Sequence, residues 1–346
     1  MRPVTVINRP QVKKPHSGRK KIVAILLLVW LVLAIVSIGI GSLSVSPIQT
    51  LEILLFSGSN SAEGIVIWSL RLPRLLLASL AGAALAMAGT VLQGVVRNPL
   101  ASPDIIGVTS GASMMAVFYL AFFNESIGIS FLPFFAFAGA ALVSFFIYML
   151  AWKRGVSPLR MILVGLGVTA LMEACKTLFL IFSPIFLTSQ AQLWITGTIY
   201  GATWSNVYSL LPWLCVLLPF LLYMVRHLDI QALGDDLTVS LGGRIQLQRL
   251  TLIGAAAALA GAAISFVGGI GFIGLMAPHI ARKLVGSSHR MLIICSAIVG
   301  AILLVTADFI GRTLFSPRDV AAGVFTAAIG APFFLLLLMK AKKRDA

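Results

Sequence analysis

Charge is what this chain has least of. Only 11% of its 346 residues are Asp, Glu, Lys or Arg, where a soluble domain carries about 25%. Acids are the scarcer sign, 11 against 26 basic residues. Cysteine is nearly absent. Cys175, Cys215 and Cys295 each sit inside an apolar run without CxxC spacing, which excludes a disulfide framework and reads as buried packing. The four histidines, His16, His227, His279 and His289, are scattered, and neither HExxH nor GxSxG occurs. No metal or catalytic constellation is legible, so the chain is not read as an enzyme. The dipeptide Gly-Lys is missing altogether, and with it any phosphate-binding P-loop. If its function draws on ATP, another subunit hydrolyses it, and this chain holds no cofactor.

What is present is hydrophobic residue, 59% of the chain, gathered into repeated runs long enough to cross a bilayer. The pattern predicts an all-α polytopic membrane protein of about ten transmembrane helices. The expected spans are 22–41, 73–93, 105–123, 131–151, 161–182, 205–225, 250–267, 270–284, 291–311 and 320–339. A basic tail, 1–21, precedes a ten-span membrane domain, 22–339, and a second basic tail, 340–346, follows it. Under this topology 21 of the 26 Lys and Arg fall on one side and four on the other, with Lys176 inside a span. Basic loops stay in the cytoplasm, so both termini are expected there. The net charge of +15 is then an orientation signal and a means of contact with membrane lipids, and no nucleic-acid partner is needed.

The most informative stretch is Val267–Arg290, VGGIGFIGLMAPHIARKLVGSSHR. Gly268, Gly269, Gly271 and Gly274 crowd one another, and each costs a helix about 1 kcal/mol relative to alanine. In a membrane they permit close helix contact, or a broken helix whose freed backbone groups face protein. The expectation is a discontinuous span, broken by Pro278. Gly269, Gly271 and Gly274 also spell the dinucleotide fingerprint, but Ile294, not an acid, lies 20 residues past Gly274, which excludes it. A weak internal echo supports an inverted repeat. Ala81–Ala84 with Gly89 matches Ala260–Ala263 with Gly268, and a proline follows each, Pro99 and Pro278.

Three groups of residues ask for a role. In the loop 226–249, Leu233, Leu237 and Leu241 recur at mostly helical spacing. Gly234, Gly242 and Gly243 divide the loop into two short amphipathic helices, which either lie on the membrane or dock into a partner. Glu173 and Lys176, three apart within a span, either neutralise one another or face a watery path. Arg71, Arg74 and Arg312 lie outside, against the charge bias. They read as a docking surface for an acidic partner, or as headgroup contacts, with Asp308 as an i,i+4 partner for Arg312.

Several stretches, in order, resemble the FecCD-type permeases of ABC importers for ferric siderophores and cobalamin. They are RLPR (Arg71–Arg74), the run Ala81–Ala112, Leu241-Gly242, GIGFIGLMAPHIAR (Gly269–Arg282), ADFIGR (Ala307–Arg312) and AAIGAPFFL (Ala327–Leu335). The resemblance implies a permease in the bacterial cell membrane, importing a ferric siderophore, with cobalamin or haem as alternatives. It implies an ATP-binding subunit, a second permease subunit (the same chain or a paralogue) and a substrate-binding protein or lipoprotein as partners. It assigns the 226–249 loop to coupling with the ATPase, places span 5 beside the translocation path, and sets the outer arginines against the binding protein. One departure stands out: Asp319, Ala321 and Gly323 occupy the family's Glu-x-Pro-x-Gly. The rival class is an ion-coupled secondary transporter, whose titratable candidates are Glu173, Lys176 and Asp308.

Overall fold

The computed structural model describes residues 16–41, 45–56, 61–153, 155, 157–232, 234–240 and 242–342. The first helices are α1 (His16–Gly39), α2 (Pro47–Leu55) and α3 (Ala62–Val66), the last running through a π-helical turn, Ile67–Arg71, into α4 (Leu72–Val96). Then come α5 (Val108–Phe122), α6 (Asn124–Ile127), α7 (Leu132–Ala151), α8 (Pro158–Phe182), α9 (Ile185–Thr196) and α10 (Trp204–Gln231). The chain closes with α11 (Asp235–Ser240), α12 (Ile245–Val267), α13 (Ile273–Val285), α14 (His289–Leu314) and α15 (Ala322–Lys342). Local chemistry sets several starts. Ser46 and Ser61 cap α2 and α3 by accepting from Gln49 N and Gly64 N, and Thr203 and Asn206 form a capping box on α10.

Among the described residues, eight helical stretches are long and apolar enough to cross a membrane, so this is a multi-pass membrane protein. The other two expected spans are helices as well, but short. At 1.5 Å per residue the 15 residues of α5 and 13 of α13 reach only about 22 and about 20 Å, against a hydrocarbon core of about 30 Å. Two tail expectations shift: α1 already begins at His16, and α15 runs on to Lys342. Between α8 and α10 lies the short α9. Of the cysteines, Cys295 is buried and Cys175 half-buried, but Cys215 is exposed on α10, so it is not a packing residue within this chain.

The centre of the bundle is α4. Of its most apolar window 83% is buried, and it touches α14, α12, α13 and α10. It runs antiparallel to α14: Arg74 near its start meets Asp308, and Gly94 near its end meets His289. Between those ends the backbones nearly touch. A methyl group on Gly82 would lie 2.3 Å from Gly300 O of α14, and α4 approaches α13 as closely, since one on Gly89 would lie 1.8 Å from Gly274 O. Such glycine contacts replace the hydrophobic drive that lipid cannot supply.

Candidate functional site

The junction between α12 and α13 holds the discontinuity, but not at the expected residue. Helix stops at Val267, and the chain is irregular until Ile273. Gly268 takes φ +73 and Phe272 takes φ +66, a left-handed conformation that a bulky residue rarely adopts. Pro278, by contrast, lies inside α13. The irregular backbone is covered by protein, as it must be in lipid. Gly269 N donates to Trp194 O and Gly323 N to Gly197 O, and Phe272 presses its ring on Gly330.

A second short helix starts beside this break. Pro103, in the turn before α5, lies against Gly274 at the first turn of α13, and Thr109 against Gly269. From there α5 ends beside the start of α7, where the rings of Tyr119 and Phe135 pack tilted against one another at 4.6 Å. The other short helix, α13, ends toward Gln93, to which Arg282 donates. The two short helices therefore leave one junction in opposite directions, after two long helices, α4 and α12, that themselves run antiparallel. This is the geometry of the inverted repeat. Asp104 sits at the junction, exposed, and accepts from Ser102 Oγ at 3.1 Å and Thr109 Oγ1 at 2.5 Å. Sequence reasoning passed over Asp104 as a turn residue, because nothing local shows that its turn folds back against a glycine 170 positions away.

Arg71, Arg74 and Arg312 come together, lining one cavity of about 470 Å³ with Asp308, Arg318 and Asp319, but their guanidinium groups point inward. Arg71 is buried and donates to Ile38 O at 2.6 Å and Gly39 O at 3.1 Å, closing the open carbonyls at the end of α1. Arg312 donates to Ile40 O at 2.8 Å, to Ser37 Oγ at 2.7 Å and to Ser37 O. Arg74 grips two carboxylates: Asp308 with Nη2 at 2.7 Å and Nε at 3.0 Å, and Asp319 with Nη1 at 2.6 Å and Nη2 at 3.0 Å. The i,i+4 pair of Arg312 with Asp308 is present but looser, at 3.8 Å. Spacing found the weaker partner of Asp308, and the stronger one lies 234 positions away. Asp319, at the departure before α15, ties the segment that leads into that helix to α4.

At the opposite end the 226–249 segment is mostly helix, but not as two short helices. The flanking α10 and α12 extend into it, leaving the six-residue α11 between Gly234 and Gly242. Those two glycines take φ +122 and +78. Asp235 ties α11 down by accepting from Arg249 at 2.8 Å and pairing with Arg97, and Gly243 N donates to Thr238 O. Leu237 and Val239 are left 54% and 63% exposed. Leu233 and Leu241 lie outside the described residues.

Glu173 and Lys176 form an ion pair on α8; their side chains are 49% and 13% exposed. The helix that carries them is bare: only 11% of its most apolar stretch is buried, and a helix bearing charge at its centre does not face lipid without cost. Among the described residues no cluster of three His, Cys, Asp or Glu is placed to hold a metal ion.

A family model for the FecCD transport family matches residues 27–340. The achromobactin transport system permease protein CbrC of Dickeya dadantii is 45% identical over 318 residues, covering 92% of this chain and 91% of that protein. The iron(3+)-hydroxamate import system permease protein FhuG of Bacillus subtilis is 40% identical over 326 residues, covering 92% and 97%. A solved structure of a metal-chelate type ABC transporter, in an inward-facing conformation, superposes with a TM-score of 0.78 at 29% identity, over 93% of this chain and 99% of that one. The chain belongs to the FecCD transport family, the permease components of ABC importers.

Proposed function

We propose that this permease forms the path for inward transport of ferric siderophores, with ATP hydrolysed by a separate cytoplasmic subunit and the cargo delivered by a binding protein at the outer face. The observation that carries the reading is the match, over nine-tenths of the chain, to permeases named for achromobactin and iron hydroxamate. Cobalamin and haem are the alternative cargoes. An ion-coupled secondary transporter is disfavoured, because Glu173 is already paired with Lys176 and Asp308 with Arg74. The chain itself needs no cofactor in this scheme.

The bare, charge-bearing face of α8 supports a second permease subunit packed against it, with Glu173 and Lys176 beside the path between the two. The outer rim is the docking surface for the binding protein. There Arg318 is exposed, while Arg74 and Arg312 retain 16% and 13% of side-chain exposure; Arg71 acts through the position of α1. The layout is a permease domain over 22–339 with cytoplasmic tails, 1–21 and 340–346, and ten spans. Reporter fusions after Gln190 and Pro317 should report the outside, and fusions after Gly155 and Asp235 the cytoplasm. One clear reversal overturns the orientation.

The exposed face of α11 docks the ATPase. Proline at Gly242 cannot take φ +78 and removes the N–H that donates to Val239 O at 2.8 Å. Leu237→Asp puts charge into an apolar contact. In proteoliposomes holding the full complex, both substitutions should lower uptake at least tenfold while ATP hydrolysis continues, no longer stimulated by loaded binding protein. Wild-type uptake by both variants removes the coupling assignment.

A further inference from the structure

At the end of the molecule that carries α11, a cavity of about 500 Å³ opens among the ends of α1, α4, α10, α13 and α14. Its walls hold three guanidinium groups, Arg19, Arg97 and Arg282, together with Gln93 and His289. Arg97 already pairs with Asp235, and the His289 ring is bonded to Asp229 at 2.7 Å. Arg19 and Arg282 have no carboxylate partner among the described residues. Arg282 Nη2 donates to Gln93 Oε1 at 3.1 Å. Arginine has only donors, so this bond fixes the Gln93 amide with its NH2 turned away from Arg282. Gln93 is 3% exposed, yet its Nε2 has no acceptor, and neither has Arg282 Nε. Buried donors without acceptors are costly and rare. The wall therefore concentrates positive charge, the complement of an anion.

The position of the cavity narrows the occupant. Arg19 lies one turn before Ile22, where the apolar run of α1 begins, and Ile25, Leu27 and Leu28 beyond it are 58%, 48% and 60% exposed, as lipid-facing residues are. The mouth is thus at headgroup depth, beside a helix that touches acyl chains. Basic pockets between membrane helices at this level suit phosphate headgroups, and guanidinium forks match phosphate oxygens in pairs.

We propose that this cavity is a phosphate-binding site whose occupant is the headgroup of an anionic phospholipid of the cytoplasmic leaflet. The leaflet assignment rests on the orientation proposed above. Because Arg97 joins the cavity wall to Asp235 of α11, an occupied site also steadies the segment that docks the ATPase.

The test is native mass spectrometry of the full chain in mild detergent, titrated with dioleoyl phosphatidylglycerol, with dioleoyl phosphatidylcholine, and with inorganic phosphate as competitor. One phosphatidylglycerol should be retained at least tenfold more tightly than phosphatidylcholine. Arg282→Gln and Arg19→Ala should each weaken it about tenfold. Arg19→Ala alters only the open end of α1 and keeps the test valid should Arg282→Gln misfold. Displacement of the lipid by millimolar phosphate would make free phosphate the occupant and overturn the lipid assignment. Equal retention of the two lipids, or indifference of retention to both substitutions, would overturn the site. None of these readings depends on orientation, which the reporter fusions measure separately.

Discussion

Arg74→Met should cost about 3–5 kcal/mol of stability and leave little folded permease in the membrane, since it strands a buried carboxylate without its main partner. Asp308 is 5% exposed. Arg312 stands 3.8 Å away but is committed to the last carbonyls of α1, so it cannot replace the two-pronged grip that Arg74 provides. Removing both charges together is a different perturbation. Arg74→Met with Asp308→Leu fills similar volume without a buried ion, and such exchanges are often neutral. The double variant should recover most of the folded yield and thermal midpoint in detergent while losing the tie to Asp319. A double variant as unstable as Arg74→Met, or a single variant as stable as wild type, would show that the pair does not hold α4 to α14.

This pair also marks the limit of what the sequence reveals. Hydropathy and the charge bias located the helices because both are local properties, and lipid leaves little choice of backbone conformation. The same bias singled out Arg71, Arg74 and Arg312 as arginines on the wrong side of the membrane. It could not show what they hold. Arg71 and Arg312 reach chiefly backbone carbonyls at and just past the end of α1, which every sequence has, and the Asp308 and Asp319 partners of Arg74 are 234 and 245 residues distant. The 226–249 loop was legible as helical and amphipathic, but where helix ends depends on tertiary ties such as Asp235 to Arg97 and Arg249. The glycine cluster correctly marked a break. Proline was the misleading signal: in water it breaks helices, but inside a bundle the carbonyl it frees can be covered by a neighbouring helix.

That carbonyl underlies the second large effect. Pro278 has no N–H, so the oxygen four residues earlier, Gly274 O, lacks its helical donor. Gly89 of α4 closes on that same oxygen, where an added methyl group would lie 1.8 Å from the oxygen, 2.5 Å from the carbonyl carbon and 2.7 Å from the α-carbon of Gly274. All three atoms are backbone, so no side chain can swing aside. Gly89→Ala must push α4 from α13 and open the junction where α5 and α13 begin. Overpacking in a tight core costs about 1–3 kcal/mol, and here the displaced segment is the broken span itself. The expected result is a permease of lowered thermal midpoint whose uptake falls at least tenfold. Gly254→Ala is the matched control: it is another mid-helix glycine with nothing within 4 Å of the added methyl, and alanine there should be neutral or slightly stabilising through its helix propensity. Pro278→Ala separates the two halves of the argument, because it returns a donor to Gly274 O without touching Gly89. It should leave the fold intact but should not rescue Gly89→Ala, whose clash is steric. Equal uptake by the Gly89 and Gly254 variants would mean that α4 and α13 do not need this contact.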